Sequence, residues 1–364
     1  MQRINQLQVI IFFVMFHFST FAGFMISPLT KSSSYQGWLV MILAMAGGLI
    51  VTYISYSLAK LRPGEFLAHY GKKLVGKWPH YAIMVLYCFF FLHLSSIIVR
   101  QISDFLVQTF LPTTPLWVVA GMFSFLVAIA VRSGFEVIFR CASGFFIVII
   151  SSAALVPFMV GKELNYNRAI AFITHLDAGS LWNPVITFIP WFGEMFLILF
   201  IFPFLAEPEK TYRSVMWSML ISLIFIEIDF ILCLLMFGAD VTGHFSYPML
   251  EMVRFIRIGD FLENLDPLLV TIWISSVFIK VSLLLYMVLL ITSQLLGLKD
   301  SRPLSFSFSA IMLVMAIHNT PNSTMLEHFI MKTWPVFAML VECSPLIYWA
   351  VQLFKKSRMT RQQD

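Results

Sequence analysis

Several ionisable residues lie inside long apolar runs, where a charge is costly, and three of them are candidates for binding: Arg100, Glu194 and Lys280. A charged side chain at the centre of a bilayer costs roughly 2.5–3.5 kcal/mol on insertion scales, so such residues usually face a protein interior and mark ligand or ion pathways. An ammonium, a guanidinium and a carboxylate in such places are suited to binding a small polar molecule. They therefore indicate a binding site within a membrane.

Lys280 lies about thirteen residues into its apolar run, close to Ser275, Ser276 and Ser282, too far from either end to reach water easily. Two interpretations remain open, and they do not exclude each other. The ammonium group could act in the site, or it could form a structural ion pair with a carboxylate from another segment. The candidates for that carboxylate are Glu194, Glu227, Asp229 and Glu342.

The other charged candidates also allow two interpretations each. Glu194 follows Gly193 directly, so it could bind an ammonium group or take up a proton, or simply be held by a lysine or by backbone donors. Arg100 could face a cavity and bind a carboxylate. It could equally neutralise Asp104, four residues further along the same helix.

His17 and His93 are single histidines on apolar segments, where a satisfied core residue is more common than a ligand. His93 is kept as a candidate binding residue. No His, Cys, Asp or Glu grouping has metal-ligand spacing, and no phosphate loop or nucleophile–base arrangement can be argued. The sequence therefore predicts no metal, no cofactor and no enzyme activity.

The segments that must position these residues are membrane helices. Hydrophobic residues make up 59% of the 364 residues and charged residues 12%, against about 25% charged in soluble domains. A helix needs roughly 20 apolar residues to span a bilayer. We predict an all-α integral membrane protein of about ten helices, near 7–28, 36–60, 79–110, 115–133, 137–160, 182–206, 211–236, 267–297, 304–318 and 333–354.

The basic residues indicate the orientation. With the amino terminus inside, 16 of the 24 Lys and Arg residues fall on the cytoplasmic side and 6 outside, while Arg100 and Lys280 lie within helices. This bias favours ten crossings with both termini cytoplasmic, including a basic tail at 355–364. The distribution of the basic residues is thus explained by membrane topology. We expect the protein to lie in the lipid bilayer and to bind no nucleic acid.

Residues 1–364 are expected to form a single transmembrane domain of two halves, 7–160 and 182–354. Five helices in each half give the halves inverted topology, with a site where they meet, near interrupted first helices. The first helix carries Ser19, Thr20, Phe21 and Gly23 in mid-run, and the sixth carries Pro190, Gly193 and Glu194. Each interruption alone could be a simple kink, but their matched places favour a paired site.

Several segments together resemble the B subunits of spore germinant receptors, within the amino acid–polyamine–organocation transporter superfamily. The resemblance covers nearly the whole chain. It rests on the length, the ten helices, and the segments Gly23-Phe24-Met25-Ile26-Ser27-Pro28, Phe192-Gly193-Glu194, Tyr247-Pro248, Arg257-Ile258-Gly259-Asp260-Phe261-Leu262-Glu263 and Trp273.

The resemblance implies a LeuT-like fold of five-plus-five inverted repeats with broken helices 1 and 6. It also implies nutrient sensing in the spore inner membrane, with A subunits and lipoprotein C subunits as partners. In the superfamily the eighth helix packs on the first where sodium-coupled relatives hold a cation, so the Lys280 ammonium could stand in for that ion. The bulky His17, Phe18 and Phe21 depart from the small residues of many relatives.

We therefore expect a receptor subunit that binds a small nutrient, an amino acid in the leading hypothesis, between the first and sixth helices. The expected ligand-binding residues are Ser19, Thr20, Phe21, Gly23, His93, Arg100, Gly193, Glu194 and Lys280. The alternative is a proton-coupled amino-acid permease that works alone. The residues fit both, and the family resemblance favours sensing.

Overall fold

A computed structural model describes residues 3–255 and 266–360 of the chain. Nearly all of the described residues are helical, apart from short turns and one isolated β-bridge between Ile4 and Leu205. Large apolar side chains point outward along the helices, among them Phe158, which is 84% exposed. Outward-facing apolar residues together with buried polar ones are expected of a protein whose solvent is lipid.

The first half of the chain contains the helices that carry the first predicted interruption. After α1, residues Phe21–Met25 form a π-helical turn before α2. A sharp turn at Ser34, where φ is 48°, then separates α2 from α3. The helices of this half are α1 (Gln6–Thr20), α2 (Ile26–Ser33), α3 (Gly37–Ala59), α4 (Leu67–Val75), α5 (Lys77–Thr109), α6 (Leu116–Ser133) and α7 (Phe135–Val160).

The second half begins with short helical turns and then repeats the pattern of a long interrupted helix. Its sixth membrane segment consists of α9, a 3-10 turn at Glu194–Leu197, and α10. The helices are α8 (Ala171–Thr174), α9 (Ala178–Gly193), α10 (Ile198–Ile201), α11 (Thr211–Phe237), α12 (Ala239–His244), α13 (Pro248–Arg254), α14 (Asp266–Leu296), α15 (Leu304–His318), α16 (Ser323–Lys332), α17 (Trp334–Glu342) and α18 (Pro345–Thr360).

Within the described residues, eight helical stretches are long and apolar enough to cross a bilayer. The pair α15 and α16, bent by 103°, can be counted as a ninth. One stretch, Gln6–Ala59, is 54 residues long. At 1.5 Å per residue it would extend about 80 Å, more than twice the roughly 30 Å bilayer core. It therefore makes two crossings that divide at Ser34, in agreement with the predicted count of about ten.

The predicted helix bounds agree with the structure at most ends. The ninth helix, predicted at 304–318, matches α15. The tenth is divided between α17 and α18, with the break directly before Pro345, which cannot continue the hydrogen bonding of the preceding turn. Of the motifs between Tyr247 and Glu263 that carry the family resemblance, Tyr247-Pro248 lies at the start of α13; residues 256–265, which include the Arg257–Glu263 motif, lie outside the described residues.

Packing brings the interrupted helices together at the centre of the protein. Helix α1 packs against α7, α11 and α14, whereas α9 packs against α3 and α17. Gly134, with φ of 99°, is the single residue between α6 and α7. That backbone angle is readily available to glycine and costly for other residues, so glycine allows the chain to reverse there in one residue.

Candidate functional site

The centre of the candidate site is a buried ion pair that joins the two halves of the chain. Lys280 on α14 donates through Nζ to Glu194 Oε2 and to Thr20 Oγ1, each at 2.6 Å. The side chains of Lys280 and Glu194 are only 1% and 4% exposed. Nζ also lies 4.2 Å from the centroid of the Phe16 ring, whose negative face attracts a cation. One ammonium group thus connects the first, sixth and eighth membrane helices.

The first helix changes its hydrogen-bonding pattern directly beside this ion pair. Helix α1 ends at Thr20, the Lys280 partner, and the π-helical turn begins at Phe21. Such turns are rare and are often found at functional sites. Phe21 stacks on Phe192 with ring centroids 5.3 Å apart. The predicted interruption of the first helix is therefore present, as a widened helical turn.

The sixth helix changes at the other partner of Lys280. Helix α9 continues through Gly193, and the 3-10 turn begins at Glu194. Pro190 has no N–H to donate to the carbonyl group four residues earlier, which weakens the helix just before that change. The interruption expected near Pro190, Gly193 and Glu194 is thus found at Glu194. There the α-helix changes to a 3-10 turn, and the backbone remains helical.

Trp273 on α14 closes the site against the first helix. Its indole N–H donates to the Ser19 carbonyl oxygen at 2.7 Å. A Cβ atom on Gly23 would lie 1.4 Å from Trp273 Cζ2, so only glycine leaves room for the ring. A cavity of about 20 Å³ is left between Gly23, Trp273 and Tyr247. The first and eighth helices are therefore packed closely together at this level.

An aromatic layer separates the closed centre from a polar vestibule. The rings of Phe24 and Phe105 lie 4.6 and 4.4 Å from the Trp273 ring, centroid to centroid. Beyond them is a cavity of about 300 Å³ whose polar lining includes Gln101, Asp104, Gln108, His244 and Ser323. Burial, and then the Asp104 carboxylate, raise the pKa of Tyr247, so its hydroxyl group remains protonated and donates to Gln108 Oε1 at 3.4 Å.

Glu342, at the end of α17, forms a second acidic position at the centre. It is 1% exposed, and neither carboxyl oxygen has a hydrogen-bond partner among the described residues. A Cβ atom on Gly193 would lie 2.0 Å from Glu342 Oε2, so the carboxyl group rests on the glycine backbone. Sequence analysis named Glu342 only as one of four possible ion-pair partners of Lys280. The sequence signal for a break next to it is Pro345, three residues further along the chain.

Arg100 lies apart from the ion pair and is bound to other groups. Its Nε donates to Asp104 Oδ2 at 2.9 Å, and its Nη1 donates to the Thr320 carbonyl at 2.9 Å, just beyond the end of α15. Cations are stabilised at that end of a helix by the helix dipole and by free carbonyl groups. Of the two interpretations left open by the sequence, these contacts favour an internal salt bridge that also caps α15.

His93 and His17 both pack among aromatic rings. His93 stacks on Trp334 with ring centroids 5.4 Å apart, and it also contacts the rings of Phe89 and Phe329. His17 Nδ1 lies 3.1 Å from the Phe13 carbonyl oxygen, and its ring lies 5.4 Å from Phe192. His17 is thus closer to the centre than His93, which sequence analysis had kept as the candidate.

Two other acids occur in α11, which packs against α1. Asp229 is buried, while Glu227 is partly buried, and these side chains are two residues apart on different sides of the helix. Asp229 Oδ2 and both Glu227 oxygens have no partner among the described residues. Lys280 thus pairs with Glu194, one of the four acids that the sequence offered.

The arrangement defines a class of protein, a membrane protein of the LeuT-like transporter fold. The structure of MhsT in complex with L-phenylalanine is similar with a TM-score of 0.68, at 12% identity, covering 93% of this chain and 88% of that one. A Na⁺-coupled sialic acid symporter is similar with a TM-score of 0.67, at 11% identity, covering 97% and 78%. At these identities the likeness shows the fold alone.

Comparison of the amino-acid sequence identifies the family to which the chain belongs. The family model described as "Spore germination protein" matches residues 3–324. Spore germination protein KB of Bacillus subtilis (strain 168) is 23% identical over 98% of this chain and 96% of its own length. Spore germination protein GerQB of Bacillus cereus is 20% identical over 82% and 81%. The chain belongs to the spore germination protein family and is an integral membrane protein.

Proposed function

We propose that this chain is the nutrient-binding subunit of a spore germinant receptor. It binds a small nutrient, an amino acid in the leading form of the proposal, between its first and sixth helices. The observation that carries the proposal is the buried contact of Lys280 with Glu194 and Thr20, which lies where both helices change their geometry. Family membership supports the germination role.

The closed packing suggests how binding could be turned into a signal. Ile4 pairs with Leu205 at the predicted inner ends of the first and sixth helices, and Lys31, at the outer end of the first helix, pairs with Glu327 on α16. A ligand that displaces the first helix would separate some of these contacts. The ligand can shift the equilibrium between the two packings only as far as its affinities for them differ.

The proposal also includes the location of the protein and its partner subunits. The receptor lies in the inner membrane of the spore with both termini in the cytoplasm, and it passes the change in packing to A and C partner subunits. It has no enzymatic step of its own. The rival function is a lone proton-coupled amino-acid permease, which the transporter fold of the structural neighbours equally supports.

Germination of spores that lack this subunit tests the proposal. The spores are complemented with wild type, with Lys280→Met, or with Ser275→Ala as a matched control at a half-buried position of the same helix, and are exposed to a panel of amino acids and sugars. We expect wild type and Ser275→Ala to restore one nutrient response and Lys280→Met to lose it at equal protein level.

Two results would count against the proposal. An unchanged set of responses after deletion would contradict the receptor function. A wild-type response in Lys280→Met would show that the ion pair is not needed for that function. Accumulation of a labelled amino acid by the purified chain in liposomes would favour the permease.

A further inference from the structure

We propose that Glu342 is a subsite for the positively charged amino group of the ligand. The inference rests on the proposed nutrient-binding function and narrows the ligand to amines. Three observations support it: a carboxyl group without a hydrogen-bond partner among the described residues, a centre with two carboxyl groups and one ammonium group, and a cleft that reaches the neighbourhood of Glu342.

The first observation is the environment of the carboxyl group. Both Glu342 oxygens are buried and have no hydrogen-bond partner within residues 3–255 and 266–360. Native proteins pair nearly all buried polar groups, so an unpaired one calls for a ligand, a water molecule or another explanation. The side chain rests on Gly193, where any larger residue would occupy its place. The described part of the chain thus leaves space for a carboxyl group and gives it no donor.

The second observation is the balance of charge. Glu194, Lys280 and Glu342 lie close enough to interact electrostatically, and they comprise two carboxyl groups and one ammonium group. The Lys280 ammonium is already bound to Glu194 and Thr20. A buried carboxylate is strongly unfavourable unless a positive group accompanies it. Glu342 is therefore favoured as a carboxylate only beside a further positive charge, which an amine ligand would bring.

The third observation is a cleft of about 1150 Å³ between α9 and the helices α16 and α17. Its lining extends from Lys31 and Glu327 to Met339 on α17 and Thr187 on α9. Met339 precedes Glu342 by three residues, about 4.5 Å along the helix. A small displacement of α17 from α9 would thus connect the cleft with Glu342 and give an amine a route to it.

Binding by the purified full chain in lipid nanodiscs tests the subsite. Amino acids are compared with hydroxy acids of the same side chain: alanine with lactate, leucine with 2-hydroxyisocaproate, and phenylalanine with phenyllactate. The variants are wild type, Glu342→Gln, and Glu342→Asp, which keeps the charge. Glu227→Gln is the matched control, because its carboxyl oxygens also lack a partner but lie on α11. Size-exclusion profiles and melting temperatures show that each variant is folded.

We expect wild type to bind at least one amino acid at least about tenfold more tightly than its hydroxy acid, since a hydrogen bond to a charged group is lost with the amine. Glu342→Gln should abolish this preference, whereas Glu342→Asp and Glu227→Gln should keep it.

Three outcomes would each overturn the subsite: equal binding of amino and hydroxy acids by wild type, an unchanged preference in Glu342→Gln, or binding of none of these amines. An unchanged preference would mean that the carboxyl group is simply protonated. The germination assay decides separately on the receptor function.

Discussion

At the scale of single residues, the contacts of Lys280 are the central feature of the site. Its ammonium group is removed from lipid and water, and it is compensated by one carboxylate, one hydroxyl oxygen and one aromatic face. The attraction within a buried pair does little more than offset its desolvation, but removal of one partner leaves an uncompensated charge. The pair therefore makes the closed packing of three helices specific.

The first prediction concerns this pair. Lys280→Met or Glu194→Gln alone should destabilise the protein by about 3–5 kcal/mol, because each leaves its partner alone in the interior. The double variant should be less destabilised than the sum of the two single variants, because neither charge remains. Thermal unfolding in detergent, with Glu227→Gln as a control on another helix, measures the difference. Additive losses would show that the two groups do not depend on one another.

At the scale of elements, short irregular turns let long helices bring polar groups to the centre. The π-helical turn follows Thr20, the 3-10 turn begins at Glu194, and α17 ends at Glu342. Each polar residue is thus the last or first residue of a regular segment. Carbonyl and amide groups near such junctions lose some of their regular partners, so side chains and a ligand can be bound there.

The second prediction concerns how the eighth helix closes over the first. Trp273→Ala removes the ring that covers Gly23 and the donor to the Ser19 carbonyl. The loss of this buried ring should open the outer face of the site. In a background without native cysteines, Ser19→Cys should then react with a membrane-impermeant maleimide at least about tenfold faster than with Trp273 intact.

Trp182, an exposed tryptophan at the start of α9, provides the matched control. Trp182→Ala should leave the labelling rate of Ser19→Cys unchanged. Equal rates with and without the Trp273 ring would show that another element closes the outer face.

At the scale of the whole molecule, the two halves meet through their first helices and are tied near both predicted membrane surfaces. Ile4 donates to the Phe204 carbonyl at 3.0 Å, and the Gln6 side chain donates to the Glu207 carbonyl at 2.6 Å. On the other side, Ser27 donates to the Gly243 carbonyl at 2.9 Å. These contacts at both ends hold the transporter fold in a closed state.

The third prediction concerns topology. Ten crossings with cytoplasmic termini place the connection at 161–181 outside and the connection at 297–303 inside. In a background without native cysteines, Asn167→Cys should react with an impermeant maleimide in intact cells. Asp300→Cys should react only after permeabilisation. Labelling of both positions from the same side would contradict the predicted arrangement.

Much of the fold follows from local sequence. Apolar runs of the right length predict membrane helices whatever their neighbours, because backbone groups in lipid must be satisfied within the helix. The bounds of α15 were predicted to the residue, and Lys280 and Glu194 were recognised because a charge within such a run is costly. The position of a buried charge along the chain can thus be read without knowledge of packing.

The partners of those charges depend on tertiary structure. Four acids were compatible with Lys280, and the packing of α14 against α1 and the sixth helix selected Glu194. Arg100 binds the Thr320 carbonyl just beyond the end of α15, more than 200 positions further along the chain. The contact of Glu342 with Gly193 could not be predicted at all. Helical periodicity determines which face a residue occupies, but which faces meet depends on the packing of helices distant in sequence.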